Sequence, residues 1–304
     1  MRVIITGGTG LIGRALAASL ASDGHEVIIL SRTPERFSRV LKGVRLAGWD
    51  GRTSEGWGSL ADGSDAIVNL AGETIGARWT AERKRRITES RIDAGQAVVQ
   101  AVEQSSVKPR VVVQASGAGY YGPRGGTKLT EDDPPGSDWA AQVAVRWEAA
   151  TLPVEALGVR RVVIRSGVVL STRGGALPRM ALPFRSFVGG PLANGRQWFS
   201  WIHIADEVAA IRFLIESEAA RGPFNLTAPG AVNNAQFSQA LGRAMRRPAL
   251  VRTPAFALRL VFGEMASTIL EGQRAVPSKL ASLGFKFSFP DVESALAHLF
   301  SNNE

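Results

Sequence analysis

Ile4-Ile5-Thr6-Gly7-Gly8-Thr9-Gly10-Leu11-Ile12-Gly13 decides the reading of this chain. Val3 to Ile5 are β-branched and bounded by glycine, which predicts a short buried strand. Glycines follow at positions 7, 8, 10 and 13. From Leu11 to Leu20 the apolar residues Leu11, Ile12, Ala15, Leu16 and Leu20 recur at helical spacing. The pattern is strand, tight glycine turn, helix. Glycine permits positive φ and a close approach of backbone to ligand. The helix start directs unpaired N–H groups and a positive dipole end at that ligand. A dinucleotide pyrophosphate is the usual occupant.

The surroundings support this reading. A second strand, Glu26 to Leu30, ends in Ser31-Arg32, where a βαβ unit reads the adenosine ribose. NAD sites place Asp or Glu there, and neither stands at Leu30, Ser31 or Arg32. Arg32 can stack on adenine and pair with a 2′-phosphate, with Arg36 one turn further on. The expected cofactor is therefore NADP rather than NAD. Gly7, Thr9, Gly10, Leu11, Ile12 and Gly13 are expected to bind its pyrophosphate, and Ser31 and Arg32 its ribose end.

Composition narrows the class. A chain of 304 residues can bury a large core. No apolar run reaches membrane-spanning length. The first apolar run ends in the glycine turn and reads as strand one rather than a signal peptide. With no cysteine and three histidines, disulfides, thiolate catalysis and a zinc site are not expected, and a cytoplasmic location is. The net charge of +9 is mostly arginine scattered along the chain. The run Arg83-Lys84-Arg85-Arg86 sits on a helical stretch and reads as a solvated face, so nucleic acid is not expected as partner, and without an apolar run of spanning length neither is a membrane. The expected partner is a small-molecule substrate, and an anionic one would suit the charge. Monomer and homodimer both stay open.

Further strands are expected at Val44 to Gly48, Asp65 to Leu70, Arg110 to Ala115, Arg161 to Ile164 and Phe224 to Leu226. Helices are expected at about Thr80 to Gln104, Trp139 to Leu157, Ala205 to Ser217, Asn233 to Met245, Ala255 to Leu270 and Asp291 to Phe300. This alternation predicts an α/β fold, a Rossmann-type doubly wound parallel sheet. Residues 1–170, completed by about 200–228, form the expected cofactor core. Residues 171–199 and 229–304 form a smaller, interwoven C-terminal substrate lobe.

Several motifs carry a resemblance. Beside the glycine turn stand Asn69-Leu70-Ala71-Gly72, Gly119-Tyr120-Tyr121-Gly122, Trp147-Glu148, Gln197 to Ile204 and Phe224-Asn225-Leu226-Thr227-Ala228-Pro229. Through these the chain resembles the extended and atypical branch of the short-chain dehydrogenase/reductase superfamily. More closely it resembles the family named for NAD-dependent or nucleotide-sugar epimerases, including its small end domain at Pro277 to Phe287. The resemblance implies that Asn69, Leu70, Ala71, Gly72 and Ser116 also line the cofactor. It further implies a tyrosine and a lysine four residues apart after strand five, with a glutamate four residues beyond the lysine. Placing Glu148 at that glutamate puts Ala144 at the lysine and Ala140 at the tyrosine. No other spacing helps, because Ser137 to Leu157 contains neither Tyr nor Lys. Alanine cannot transfer a proton.

Ser116, just past strand five, is expected to hydrogen-bond a substrate carbonyl or hydroxyl, or else to cap a turn. Tyr120 and Tyr121 are the only tyrosines. Either is a substitute acid, Tyr121 being the favoured one, or a packed aromatic in the glycine loop, and without a nearby lysine its pKa stays at about 10. His203 is a proton donor or a structural brace. Glu73 is a candidate to face the cofactor or substrate, and Trp79, Trp139, Trp198 and Trp201 line a pocket or pack in the core. Arg165 orients a substrate or binds a buried carboxylate, and Arg173, Arg179 and Arg196 are candidates for an anionic substrate. The favoured reading is an NADP(H)-binding, oxidoreductase-like protein acting through Ser116 and Tyr121. The alternatives are a non-catalytic NADP(H)-dependent sensor or scaffold, and a nucleotide-sugar epimerase.

Overall fold

The computed structural model describes residues 1–36 and 42–301. Seven parallel strands form the central sheet: β1 (Arg2–Thr6), β2 (Glu26–Ser31), β3 (Val44–Gly48), β4 (Ala66–Asn69), β5 (Val111–Gly117), β6 (Arg160–Ser166) and β7 (Gly222–Leu226). Their spatial order is β7-β6-β5-β4-β1-β2-β3. The order reverses between β1 and β4, so the crevice outside the carboxyl ends of those strands is where a doubly wound sheet binds its ligand. Thr6 pairs with Asn69 and Ser116 with Arg165, which brings the ends of β1, β4, β5 and β6 level.

Alternation along the strands builds the two faces. Val3 and Ile5 pack with Leu16 and Leu20 of α1 (Leu11–Ser22), while Ile4 faces the opposite side. There the partners are Ala94, Val98 and Val102 of α2 (Ala81–Gln104). Burying each such Leu or Val side chain contributes about 1.5–3 kcal/mol. α3 (Trp139–Ala149) joins α2 on its face. Then come α4 (Leu177–Arg185), α5 (Ile204–Glu216) beside α1, α6 (Asn234–Met245), α7 (Ala255–Phe262), α8 (Ala266–Leu270), α9 (Ser278–Ser282) and α10 (Val292–Ser301).

A second core forms where Leu177, Phe184, Trp201, Phe237 and Leu296 meet. Leu280, Phe285 and Phe287 leave this lobe and pack against the core beneath β7 and α5. Asp206 fixes that crossing by accepting the Ser288 and Phe289 amides at 2.8 and 2.9 Å.

The departures from expectation have local causes. The helix from Trp139 stops at Ala149, and Leu152–Glu155 follows as a 3₁₀ turn containing Pro153, which has no N–H to donate. The stretch Ala255 to Leu270 breaks at Gly263, whose φ is +59°. α4 lies outside the expected helices, because Pro178 and Pro183 mask its apolar stripe of Leu177, Ala181 and Phe184.

Candidate active site

The glycines of the first turn have different tasks. Gly7 has φ +64°, and a methyl group there would sit 2.7 Å from the Leu70 carbonyl. At Gly8 it would strike Ile29 of β2 at 2.6 Å, and at Gly13 the Gly8 Cα at 2.5 Å. These three let turn, helix and sheet close on one another. Gly10 differs. It is exposed, its φ of −77° suits any residue, and a methyl group would meet only the Gly7 carbonyl oxygen at 3.2 Å. Its side is open where a ligand must approach. Gly10 is also the N-cap of α1, and no side chain caps that helix. The first-turn N–H groups therefore stay free for an anion. Thr9, Leu11 and Ile12 are half-buried around this opening, and Leu11 lies beneath the Gly174–Gly175 segment of the second lobe. These residues fit a dinucleotide pyrophosphate.

Ser31 ends β2 and turns the chain by accepting the Thr33 amide at 3.2 Å. Arg32 follows, exposed, its stem near Gly51, with no carboxylate partner among the described residues. Arg36 is likewise exposed. Among the described residues, the carboxyl end of β2 therefore offers a guanidinium without a carboxylate partner, and none of Leu30, Ser31 and Arg32 is an acid.

Asn69 is fully buried, and its side chain faces inward. Its Oδ1 accepts the Thr6 hydroxyl at 2.6 Å, and its Nδ2 donates to Gln114 Oε1 at 2.8 Å. Thr6 in turn accepts the Ala71 amide at 3.2 Å. This chain of bonds aligns the ends of β1, β4 and β5, so Asn69 braces the site. Leu70, Ala71 and Gly72 follow directly beyond the end of β4. Arg91 of α2 supports this segment from behind, donating to the Glu73 and Ile87 carbonyls at 2.9 Å each and lying over the Trp147 ring. Burial pulls the Arg91 guanidinium down to about 10.

A polar cluster organises the end of β5. Ser116 donates to Glu148 Oε1 at 2.7 Å. Arg165 grips both oxygens of Glu148, at 2.8 and 2.9 Å. Burial alone would lower Arg165, but the Glu148 carboxylate outweighs it and holds the guanidinium charged. Arg165 also donates to the Tyr121 hydroxyl at 3.1 Å and lies over the Tyr120 ring. Tyr121 donates to Asn225 Oδ1 at 2.7 Å, and the Asn225 amide binds Glu131 at 3.0 Å.

The expected role of Tyr121 as a proton donor therefore needs correcting. Its side chain is wholly buried, its hydroxyl is occupied as donor and as acceptor, and burial pushes the phenol up to about 12. It locks β5, β6 and β7 together. Ser116 remains at the strand end. Its proton is directed at Glu148, so the lone pairs of its oxygen are what a substrate can meet.

The places of the missing tyrosine and lysine are apolar. Ala140 packs in a cluster with Trp79, Trp139, Val143 and Met265, and Ala144 is buried one turn on. The indole rings of Trp79 and Trp139 meet edge to face at 4.5 Å. His203 is a brace. Its Nδ1 accepts the Ala205 amide at 3.0 Å, it stacks on Phe289, and burial lowers it to about 4, which leaves it neutral. Trp201 lies in the second core, donating to the Gly230 carbonyl. Arg179 ties α4 to the Gly76 carbonyl at 2.8 Å, and Arg173 is exposed. Arg196, Gln197 and Trp198 line a pocket of about 310 Å³ with Gly125, Gly126 and Gly272.

Sequence reasoning alone misses Thr6, Gln114, Asn225, Glu131 and Arg91. Only Thr6 carries a local signal, a polar residue closing an apolar strand directly before the glycine turn.

Two family models cover the chain. Residues 3–227 match the NAD dependent epimerase/dehydratase family, and residues 253–299 match a domain of unknown function, DUF1731. The epimerase family protein YfhF of Bacillus subtilis is 38% identical, across 100% of this chain and 99% of the relative. The epimerase family protein SAR0825 of Staphylococcus aureus is 37% identical, across 98% of each chain. Among solved structures, the human epimerase family protein SDR39U1 (isoform 2) with NADPH superimposes with a TM-score of 0.88 at 35% identity, covering 99% of this chain and 100% of that one. The nucleoside-diphosphate sugar epimerase from Corynebacterium glutamicum gives 0.79 at 35% identity, covering 99% of this chain and 58% of that one. A Rossmann sheet with an open glycine turn, a match over most of the chain and full-length relatives agree: this protein belongs to the NAD dependent epimerase/dehydratase family, within the short-chain dehydrogenase/reductase type, and has an NAD(P)-binding fold.

Proposed function

We propose that the protein is an NADP(H)-binding oxidoreductase of the atypical short-chain dehydrogenase type. The observation that carries this reading is the exposed Gly10 at an uncapped helix start, together with Arg32 at the end of β2, which has no carboxylate partner among the described residues. The NADPH-bound human relative supports the same cofactor. Gly7 to Gly13 would hold the pyrophosphate, Arg32 the 2′-phosphate, and Leu70 to Gly72 with Ser116 the nicotinamide end. When bound, the cofactor supplies hydride transfer. Ser116, with its proton committed to Glu148, accepts a hydrogen bond from a substrate hydroxyl and so orients an alcohol carbon. The acid-free stretch from Arg173 to Ala205, with Arg173, Arg179, Arg185 and Arg196, favours an anionic substrate. Titration with NADPH and NADH, followed by an alcohol and carbonyl screen read by NADPH absorbance, tests the proposal. Binding without any turnover would support a second reading.

That second reading is a non-catalytic NADP(H) sensor. It is favoured by the apolar cluster around Ala140, which occupies the ground where a proton-transfer pair would stand. A nucleotide-sugar epimerase ranks below both, since its chemistry needs a base at that place.

A further inference from the structure

Phe187-Val188 and Leu250-Val251 stand on two neighbouring loops of the second lobe. Their relative exposures are 58%, 52%, 84% and 48%. Backbone bonds tie the loops into one face: the Val251 amide donates to the Gly189 carbonyl at 3.1 Å, and the Thr253 amide to the Pro191 carbonyl at 3.0 Å. Among the described residues, the three non-glycine residues with positive φ are Phe187, Ala193 and Arg246, and all lie in these segments. A bulky, exposed aromatic in that conformation is strained without any gain from burial.

The charge is equally one-sided. From Arg173 to Ala205 the sequence has four arginines and no acid, and from Ala219 to Gly263 six arginines and no acid. Arg243 is paired with Glu293 at 3.0 Å. Arg185, Arg246, Arg247 and Arg252 are exposed and have no carboxylate partner among the described residues. Arg247 lies over the Phe187 ring at 4.5 Å. α7, which begins just beyond, exposes Phe256, Leu260 and Val261 and buries only Leu258.

We propose that this face docks on an anionic lipid bilayer. Protruding apolar tips flanked by unpaired arginines match the two layers of such a surface, acyl chains below and phosphates above. A second copy of this chain would set arginines against arginines, which disfavours self-association. A soluble acidic peptide held in the hollow lined by Arg243, Arg246, Arg247 and Leu250 would neutralise the charge but leave Phe187 and Val188, which do not line that hollow, uncovered. Among the described residues no helix is long and apolar enough to cross a membrane, which leaves a surface contact open.

Co-sedimentation of the full chain with vesicles tests the proposal. Binding is expected to phosphatidylcholine vesicles containing phosphatidylglycerol, and not to phosphatidylcholine alone, and to weaken with salt. The pairs Phe187→Asp/Leu250→Asp and Arg246→Glu/Arg247→Glu should each reduce binding at least tenfold, with NADPH titration unchanged as the control for folding. Phe187→Gly should raise the melting temperature and still lower vesicle binding, a combination that a purely structural Phe187 would not give. Absence of binding to the anionic vesicles overturns the proposal. So do patch variants that bind as the unsubstituted protein does, and light scattering that shows the tips holding a dimer together.

Discussion

Ser116 of β5 and Glu148 of α3 are joined by a 2.7 Å hydrogen bond, and Arg165 clamps the same carboxylate from β6. Glu148 stands where the family resemblance places a glutamate beyond the missing lysine. Here it fixes the direction of the Ser116 proton. The helix that would carry the acid–base pair thus contributes an anchor, and Ser116 at the end of β5 keeps only its lone pairs uncommitted.

Gly10→Val is expected to abolish dinucleotide binding with only a modest loss of melting temperature, since at an ordinary φ the new Cβ meets one neighbour, the Gly7 carbonyl oxygen at 3.2 Å. Gly13→Val should instead unfold the turn, because it drives a side chain into the Gly8 backbone. Calorimetric titration beside thermal melting separates the two. Unchanged NADPH affinity in Gly10→Val would remove the cofactor assignment.

Arg32 should give NADPH at least a tenfold advantage over NADH, or about 1.4 kcal/mol, within reach of one charge-assisted hydrogen bond. Arg32→Ala should lower NADPH affinity by that factor and leave NADH affinity unchanged. Equal affinities in the unsubstituted protein would contradict the assignment.

Ser116 and Tyr121 should separate by readout. In any assayable turnover, Ser116→Ala is expected to lower kcat/KM at least tenfold with little change in melting. Tyr121→Phe leaves Asn225 and Arg165 short of a buried partner and should destabilise the fold by about 1–3 kcal/mol. A Tyr121→Phe protein that melts normally yet loses turnover would restore the tyrosine as the acid.

Glu148→Ala strands the Arg165 charge in a buried site and should cost about 3–5 kcal/mol. The double substitution Glu148→Leu/Arg165→Met should recover much of that loss. Urea unfolding of the single and double variants measures the coupling.

Glu207 should set a pH dependence of stability. It is fully buried, among the described residues it is bound by Ser166 alone, at 2.6 Å, and burial raises it from 4.5 to about 8. Between those values the folded chain holds a proton that the unfolded chain has released. Stability is therefore expected to fall as pH rises through that window and to level off above about 8. Each pH unit across the window lowers it by about 1.4 kcal/mol, so the full effect is a few kcal/mol. Glu207→Gln should flatten the profile, with its largest gain in melting temperature on the alkaline side. An unchanged slope would show that other groups set it.

The sheet and the cofactor turn are legible in the sequence because both are local. β-branched runs, glycine spacing and helical periodicity specify strand, turn and helix within a few residues of one another, and the missing acid after β2 is a fact of adjacency. Asn69 and Tyr121 can be placed beside their strand ends, but their directions cannot be read. Whether Asn69 faces a ligand or Gln114 depends on Thr6, 63 residues away. The roles of Tyr121 and Glu148 depend on Arg165, 44 and 17 residues away. By itself the sequence determined a doubly wound sheet with an anion-ready helix start and no Tyr–Lys pair. Only the tertiary structure decided which polar groups face the crevice and which satisfy one another beneath it, because a buried hydroxyl or carboxylate takes its role from the partner that packing sets opposite it.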